Sequence, residues 1–232
     1  EVLTTYVQND NREVKFLVLD EWTPGFLEIN DGAGGGYYTL LIENMEETEE
    51  TVPDVGSILE GTDATYKVTV APDKDSKAGG VVRYMKIGRK KSKTIAVPDT
   101  ITINDITYKV SSIDNSAFAG NKNIISVAVG NNVTKMSAKT FKGCTNLKTV
   151  KLGNGVTGVP AKMFKNFKKL TTVKMGNKVK TIGKEAFSGC KNLTSIVLPD
   201  SLRNISHLMF SNCESLTSIV LPDTITSIGS SA

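Results

Sequence analysis

The side chains best suited to nucleophilic or metal chemistry are three cysteines and a single histidine. Cys144, Cys190 and Cys213 are separated by 46 and 23 residues, both multiples of 23. A thiolate beside a histidine acts as a nucleophile, and four such ligands hold zinc. Because His207 is the only histidine, no tetrahedral set of ligands is available. We expect buried free thiols that pack in the core, with a disulfide between Cys190 and Cys213 or metal binding as the alternatives.

Three other stretches contain residue types found in phosphate, calcium or sugar sites. The glycine run at 32–36 lacks the Gly-Lys-Ser/Thr ending of a phosphate loop, so we expect a hairpin tip. The acidic run at 43–54 lacks the residue order of a calcium loop and is typical of a solvated linker. For Asp20, Glu21 and Glu28, nothing fixes the separation that paired carboxylates need for sugar hydrolysis. The sequence therefore predicts no catalytic residue, no cofactor and no metal site.

Lysine is concentrated in the middle of the second half of the chain. Residues 139–191 contain 13 lysines and one acidic residue, Glu185, for a local charge of +12. Such a field attracts polyanions. Nucleic acid would call for arginine and exposed aromatic residues, and the whole chain has four arginines. We therefore predict an acidic glycan or an acidic protein surface as the partner, and no nucleic acid; solubility alone is the alternative explanation.

The first 60 residues differ in charge from the rest of the chain. They contain 14 acidic and two basic residues, a net charge of −12, against +16 for the remainder. Segments 14–19, 26–29 and 37–42 are strand-like and are separated by turn residues. We predict a small β-rich or α+β module of no recognised family, followed by a linker near 44–63.

The second half of the chain is a repeat array with a period of 23 residues. Its most regular column is Phe118, Phe141, Phe164, Phe187 and Phe210. Each Phe is followed by an apolar pattern that ends in alternation, then by a Gly-Asn or Pro-Asp turn and a second apolar pair. Such a unit cannot bury its own apolar side and is stable only when stacked on copies of itself. The pattern predicts a mainly β, right-handed solenoid with short helical turns.

A partial unit and a cap precede the array. Residues 95–101 repeat the text of 196–202, after which nine inserted residues break the phase. Residues 102–108 of this region are typical of a hairpin around Asn104 and Asp105. Together with strand-like segments at 66–70 and 81–85, it is expected to cover the open edge of the first unit.

The text IGKEAFSGCKNLTSIVLPDSLRNI at 182–205, and its near copy at 209–229, resembles the BspA-like leucine-rich repeats of bacterial surface proteins, close to the treponemal type. The resemblance covers roughly residues 81–232. It implies a curved solenoid on an exported protein that serves adhesion or recognition, and it implies no catalytic residues.

Two columns of the alternating segment are expected to point outward and form a candidate binding face. They are Ser126, Thr149, Thr172, Ser195 and Ser218, and beside them Ala128, Lys151, Lys174, Val197 and Val220. A ladder of hydroxyl groups beside a strip that changes from basic to apolar is a plausible recognition surface. The alternative is an ordinary solvated sheet face, since Ser and Thr are common on exposed strands.

His207 occupies a repeat position that is otherwise Ala138, Ala161 and Lys184. This pattern indicates a surface substitution rather than a catalytic base. We expect no Ser or Cys to be placed beside it by the repeat, and hence no nucleophilic catalysis.

These observations predict an acidic module at 1–60, a β-rich capping region with a degenerate first repeat at 61–117, and five repeats at 118–232. The predicted function is a noncatalytic adhesion or recognition module of a bacterium, secreted or on the cell surface. It would bind an extracellular protein or acidic glycan without inserting into a membrane. The alternative is a targeting or spacer segment of a larger exported enzyme. The last unit, which has no recognisable cap, is expected to continue into further repeats or to pair edge to edge with a second copy.

Overall fold

The computed structural model describes residues 6–9, 12–15, 26–30, 37–41, 52–88 and 91–232, with side chains for the last two ranges. The chain divides into two compact units, residues 1–51 and 52–232. The glycine run at 32–36, the residues Asp20 and Glu21, and the acidic run up to residue 51 lie outside the described residues.

The described residues of the first unit form two antiparallel hairpins. One pairs β1 (Tyr6–Asn9) with β2 (Arg12–Lys15), and the other pairs β3 (Phe26–Asn30) with β4 (Tyr37–Leu41). The strands predicted at 26–29 and 37–42 correspond to β3 and β4. The strand predicted at 14–19 overlaps only the end of β2, and the rest of it is outside the described residues.

The described part of the second unit consists of strands and turns. The strands are β5 (Ile58–Glu60), β6 (Ala64–Val70), β7 (Gly80–Ile87), β8 (Thr94–Val97), β9 (Thr100–Ile103), β10 (Ile106–Ile113), β11 (Ser126–Val129), β12 (Thr149–Lys151), β13 (Gly158–Val159), β14 (Thr172–Lys174), β15 (Thr181–Ile182), β16 (Ser195–Ile196), β17 (Asn204–Ile205) and β18 (Ser227–Ile228).

Five of these strands form a cap sheet in the order β5-β6-β7-β10-β9. The predicted hairpin is confirmed, because β9 and β10 pair antiparallel around Asn104 and Asp105, whose φ angles are 48° and 57°. A two-residue hairpin turn of this hand requires positive φ at both positions. The linker prediction is wrong for residues 58–60, which form β5; Leu59 is buried in the core there.

The front sheet contains β8, β11, β12, β14 and β16, one strand from each successive unit and all parallel. A bridge between Val197 and Val220 extends the pairing to the last unit. The pairing of β8 with β11 confirms the partial unit predicted at 95–101. On the other side of each coil, β13 pairs with β15 and β17 with β18, again in parallel. These pairings confirm the solenoid.

The segments that contain the phenylalanines are chains of turns; none of the described residues is in a helix. Many of their hydrogen bonds join residues three apart, as from the Cys144 amide to the Phe141 carbonyl at 3.0 Å and from the Leu147 amide to the Cys144 carbonyl at 3.1 Å. Others join neighbouring units, as from the Phe187 amide to the Met209 carbonyl at 3.0 Å. Two residues after each Phe, the backbone is left-handed, with φ between 58° and 84°. These residues are Gly120, Gly143, Asn166, Gly189 and Asn212. Glycine and asparagine tolerate that conformation best.

The phenylalanine column forms a continuous ladder of rings through the core. Neighbouring ring centroids from Phe118 to Phe210 lie 5.4 to 5.7 Å apart, with interplanar angles of 7° to 25°. The cap sheet extends this ladder, because Tyr84 lies 5.5 Å from Phe118, and Tyr66 lies 5.5 Å from Tyr84. These ring contacts pack the cap sheet against the core of the first full repeat, while β8 stays at the edge of its own sheet.

A second ladder runs along the turn after the front sheet. The Asn154 amide donates to Asn131 Oδ1 at 3.0 Å, and the Asn177 amide donates to Asn154 Oδ1 at 3.2 Å. Asp99 accepts from the Asn131 amide at the start of the series. Each side chain thus satisfies a backbone donor of the next unit, which fixes the register between units at this corner.

Candidate binding face

The register of the front sheet aligns the two predicted columns on its exposed side. Lys151 is paired with Lys174, and Thr149 with Thr172, in adjacent strands. The ten predicted residues on this side are Ser126, Ala128, Thr149, Lys151, Thr172, Lys174, Ser195, Val197, Ser218 and Val220, none of which belongs to the buried core. We call this surface the front face.

Strand alternation produces this separation. Val150, Val173 and Ile196 are buried, while the residues on either side of them in the chain are partly or fully exposed. Successive side chains of a strand point to opposite faces, so the repeat that buries one column must expose its neighbours.

The basic part of the front face consists of Lys151 and Lys174. Both side chains are exposed, and neither has an ion pair or hydrogen bond within residues 52–88 and 91–232. Like charges directly opposite each other on neighbouring strands are destabilising. An acidic group bound between them would relieve that repulsion.

The apolar part lies next along the sheet. Val197 is 79% exposed and Val220 is 82% exposed, and the two are bridged in parallel. A shallow depression of about 280 Å³ lies at the boundary with the basic part, lined among others by Lys174, Met175 and Val197. The front face therefore changes from basic to apolar over four adjacent units.

The structure distributes the other lysines over several sides of the coil. Lys165 donates to Glu185, and Lys162 Nζ lies 3.7 Å from the same carboxylate. The hydrogen bond from Lys165 lowers the pKa of Glu185, and the nearby positive charges act in the same direction. Lys191 pairs with Glu214 at 2.6 Å. The cluster predicted from the sequence is therefore not one patch, and only part of it faces the front.

Sequence reasoning missed two members of the exposed columns. Thr94 and Ala96 of β8 pair with Ser126 and Ala128, so each column begins one unit earlier than predicted. The spacing of 32 residues, rather than 23, separates them from their partners. The partial unit predicted at 95–101 could have indicated them, because Ile95 aligns with the buried Val127 and so places Thr94 and Ala96 in the exposed columns.

The cysteines are free thiols that serve the packing of the turns. Cys144 Sγ donates to the Phe118 carbonyl at 2.9 Å, and Cys190 Sγ donates to the Phe164 carbonyl at 3.1 Å. Burial raises the pKa of Cys144 to about 11 and that of Cys190 to about 12. Cys213 is only half-buried, which departs from the prediction of three buried thiols. Protonated thiols of this kind are poor nucleophiles and metal ligands.

The expectation that no hydroxyl lies beside His207 is wrong. Its Nδ1 is 2.6 Å from Ser230 Oγ, one repeat further along the chain. Ser230 falls 23 residues after His207, so the period itself contained this signal. In the described part of the chain, no carboxylate is hydrogen-bonded to the imidazole, so these residues do not form a Ser-His-Asp arrangement.

Within the described residues, no three or more His, Cys, Asp and Glu side chains are grouped so as to hold a metal ion. The same residues include no helix with the length and apolarity needed to cross a membrane.

Comparison with known proteins identifies the repeats. A family model described as a BspA type leucine rich repeat region matches residues 93–232 with six copies. The sixth copy beyond the five full units agrees with the position of β8 at the start of the matched region. A comparison with curated protein sequences finds no match.

Solved structures of leucine-rich repeat proteins share the fold. The T. pallidum protein TpLRR is 21% identical with a TM-score of 0.54, over 71% of this chain and 83% of the other. A leucine-rich cell surface protein from Faecalibacterium prausnitzii is 24% identical with a TM-score of 0.57, over 75% and 45%. The pneumococcal vaccine antigen PcpA is 20% identical with a TM-score of 0.50, over 77% and 47%. The present chain thus spans less than half of the latter two.

Proposed function

The chain belongs to the BspA-type leucine-rich repeat family, and from this premise we propose that it is a noncatalytic recognition module that acts outside a bacterial cell. Its front face binds a protein surface that carries acidic groups beside apolar ones. The location is supported by the similarity to proteins described as a cell surface protein and a vaccine antigen.

One observation carries the proposal. Lys151 and Lys174 lie side by side without a partner among the described side chains, and the exposed pair Val197 and Val220 continues the same column. A glycan presents mainly hydroxyl groups and small C–H faces, whereas a protein surface supplies both carboxylates and larger apolar side chains to match two exposed valines. A protein is therefore the better fit to this face.

The test measures binding to a panel of purified extracellular matrix proteins and acidic glycans by biolayer interferometry at low and high salt. The double variant Lys151→Glu, Lys174→Glu is expected to bind a protein of the panel about tenfold or more weakly, because each lysine contributes a charged contact. Binding by the unaltered chain should also weaken as salt screens these charges.

Two further variants separate the contributions. The control Lys178→Glu, Lys180→Glu makes the same change in charge on exposed residues of the same region, away from the front face. It should bind nearly as well as the unaltered chain. Val197→Ser, Val220→Ser should weaken binding to a protein but leave binding to a glycan unchanged. The proposal would be contradicted if the two double lysine variants lost the same amount of affinity, if binding were independent of salt, or if the unaltered chain bound nothing in the panel.

A further inference from the structure

A groove lies where the cap sheet meets the first full repeat, away from the front face. It has a volume of about 490 Å³, and its lining includes Arg83, Ser111, Ser112, Asn115 and Lys135. This volume falls within the usual range for small-ligand sites, about 300–1,000 Å³. We call it the cap groove.

Two β-bulges shape the cap groove. Thr69 is the extra residue where β6 pairs with β7, and Ser111 is the extra residue where β10 pairs with β7. Both bulges flank Val82, and both extra residues line the groove. Bulges redirect side chains and are common beside functional sites. Here they interrupt the pleat on both sides of β7 at one level of the sheet.

The strand register places two cations in one row across the groove. Arg83 of β7 pairs with Ser112 of β10, and Ser112 is bridged in turn to Lys135. With a strand spacing of about 4.8 Å, the backbones of Arg83 and Lys135 are separated by about 10 Å, with Ser112 between them. An anionic group above Ser112 is within reach of both long side chains.

The positive charge of this row is not neutralised within the described residues. Neither the Arg83 side chain nor the Lys135 side chain forms an ion pair or hydrogen bond there. Asp114, the one acidic residue of the lining, accepts from the backbone amide of Ser116 at 3.0 Å and from its hydroxyl at 2.8 Å. The two cations are therefore available to a ligand.

The remaining polar groups specify the type of ligand. In the part of the chain with described side chains, the Ser111 and Ser112 hydroxyls and the Asn115 amide make no hydrogen bond. Neutral donors and acceptors of this kind suit sugar hydroxyls, while arginine and lysine suit a carboxylate or sulfate. We infer that the cap groove binds an acidic sugar, with its anionic group between Arg83 and Lys135. This site is separate from the front face and does not depend on the function proposed for it.

The inference is tested by titrating the full chain with three probes, trigalacturonate, galactose 6-sulfate and neutral galactotriose, in isothermal calorimetry. At least one of the acidic probes should bind, and the choice between them tells carboxylate from sulfate. The neutral probe should bind at least about tenfold more weakly, because it lacks a charge-assisted contact.

Matched variants locate the site. The double variant Arg83→Gln, Lys135→Gln should weaken binding of the acidic probe about tenfold or more. A higher salt concentration should also weaken binding of this probe to the unaltered chain. The control Lys86→Gln, Lys109→Gln removes the same charge from exposed positions of β7 and β10 outside the lining. It should bind as the unaltered chain does, and thermal unfolding should show that both pairs remain folded.

A negative result for the cap groove can be told apart from a negative result for the front face. The variant Lys151→Glu, Lys174→Glu should retain acidic sugar binding even where it loses a protein partner. The inference is overturned if neither acidic probe binds, if the neutral probe binds equally well, or if the control pair weakens binding as much as the groove pair.

Discussion

Replacement of Phe164 by alanine tests whether the aromatic ladder is the continuous support of the array. Its ring is fully buried and contacts three others, with centroids 5.6 Å from Phe141, 5.5 Å from Phe187 and 5.7 Å from Phe167. Phe210 provides a comparison within the same column. It is half-buried and contacts one ring of the ladder, Phe187 at 5.7 Å.

The two positions differ in the expected cost. Truncation of a buried Phe to Ala costs about 3–5 kcal/mol, and each aromatic pair adds about 0.5–1.5 kcal/mol beyond the area it buries. Three ring contacts place Phe164→Ala at the upper end, about 4–5 kcal/mol. Partial exposure and a single ring contact place Phe210→Ala at about 2 kcal/mol. The difference of about 2–3 kcal/mol corresponds to roughly a hundredfold in the equilibrium constant.

Urea unfolding followed by circular dichroism measures the free energy of unfolding of each variant, and hydrogen exchange shows where protection is lost. Because each repeat contacts only its neighbours, Phe164→Ala should reduce protection on both sides of the third full unit. Phe210→Ala should affect mainly the last units. Equal destabilisation by the two variants, or a loss of protection in Phe164→Ala restricted to its own unit, would refute the idea of a continuous ladder.

Two further predictions concern the turns. In Gly153→Ala the new Cβ would lie 2.3 Å from the Gly130 carbonyl oxygen, so the adjacent units must move apart; we expect a loss of about 1–3 kcal/mol in urea unfolding. Gly120→Ala, which has free space but a φ of 74°, should cost about 1–2 kcal/mol from backbone strain alone and should leave packing between units unchanged by hydrogen exchange. The raised pKa of Cys190, about 12, means that the folded thiol stays neutral while the unfolded thiol ionises, so this contribution to stability is present below pH about 9 and is lost as the pH rises toward 12. When the pH is raised from 8 to 11, the free energy of unfolding of Cys190→Ala should fall by less than that of the unaltered chain. An identical fall in both proteins would contradict this assignment.

The array was predictable from the sequence because its period repeats in every column. A buried ladder such as the phenylalanine column requires the same side chain at the same repeat position, and the sequence shows this regularity directly. The column of residues with a left-handed backbone was equally predictable, since Gly120, Gly143 and Asn166 share one repeat position. The apolar columns alone do not indicate this backbone conformation, which depends on the glycine and asparagine positions.

The cap was predictable only in part. Its hairpin has a local signal in Asn104 and Asp105, because a short turn is encoded by the residues that form it. The parallel pairing of β7 with β10 joins segments more than 20 residues apart and has no local signal. For the same reason the sequence did not indicate that Tyr84 and Tyr66 continue the phenylalanine ladder, since neither lies in phase with it.

The two candidate sites differ in the same way. The front face follows from alternation and period, so its residues were found from the text, apart from Thr94 and Ala96 in the out-of-phase unit. The cap groove depends on bulges at Thr69 and Ser111, which shift the register between distant strands. A bulge changes which side chains face one another without changing the composition of either strand, so the row of Arg83 and Lys135 emerges only in three dimensions.

Geometry of the front face also restricts how a partner can approach. Lys151, Lys174, Val197 and Val220 occupy successive units, so their backbones are spaced in steps of about 4.8 Å and span about 14 Å. A partner that satisfies all four must present two acidic groups about 5 Å apart, followed along the same line by apolar surface. Reversed along the solenoid axis, the same partner would place carboxylates against valines and apolar groups against unpaired lysines. For the proposed protein partner, the order of the column would select one direction of binding, because the reversed arrangement leaves charges desolvated without partners.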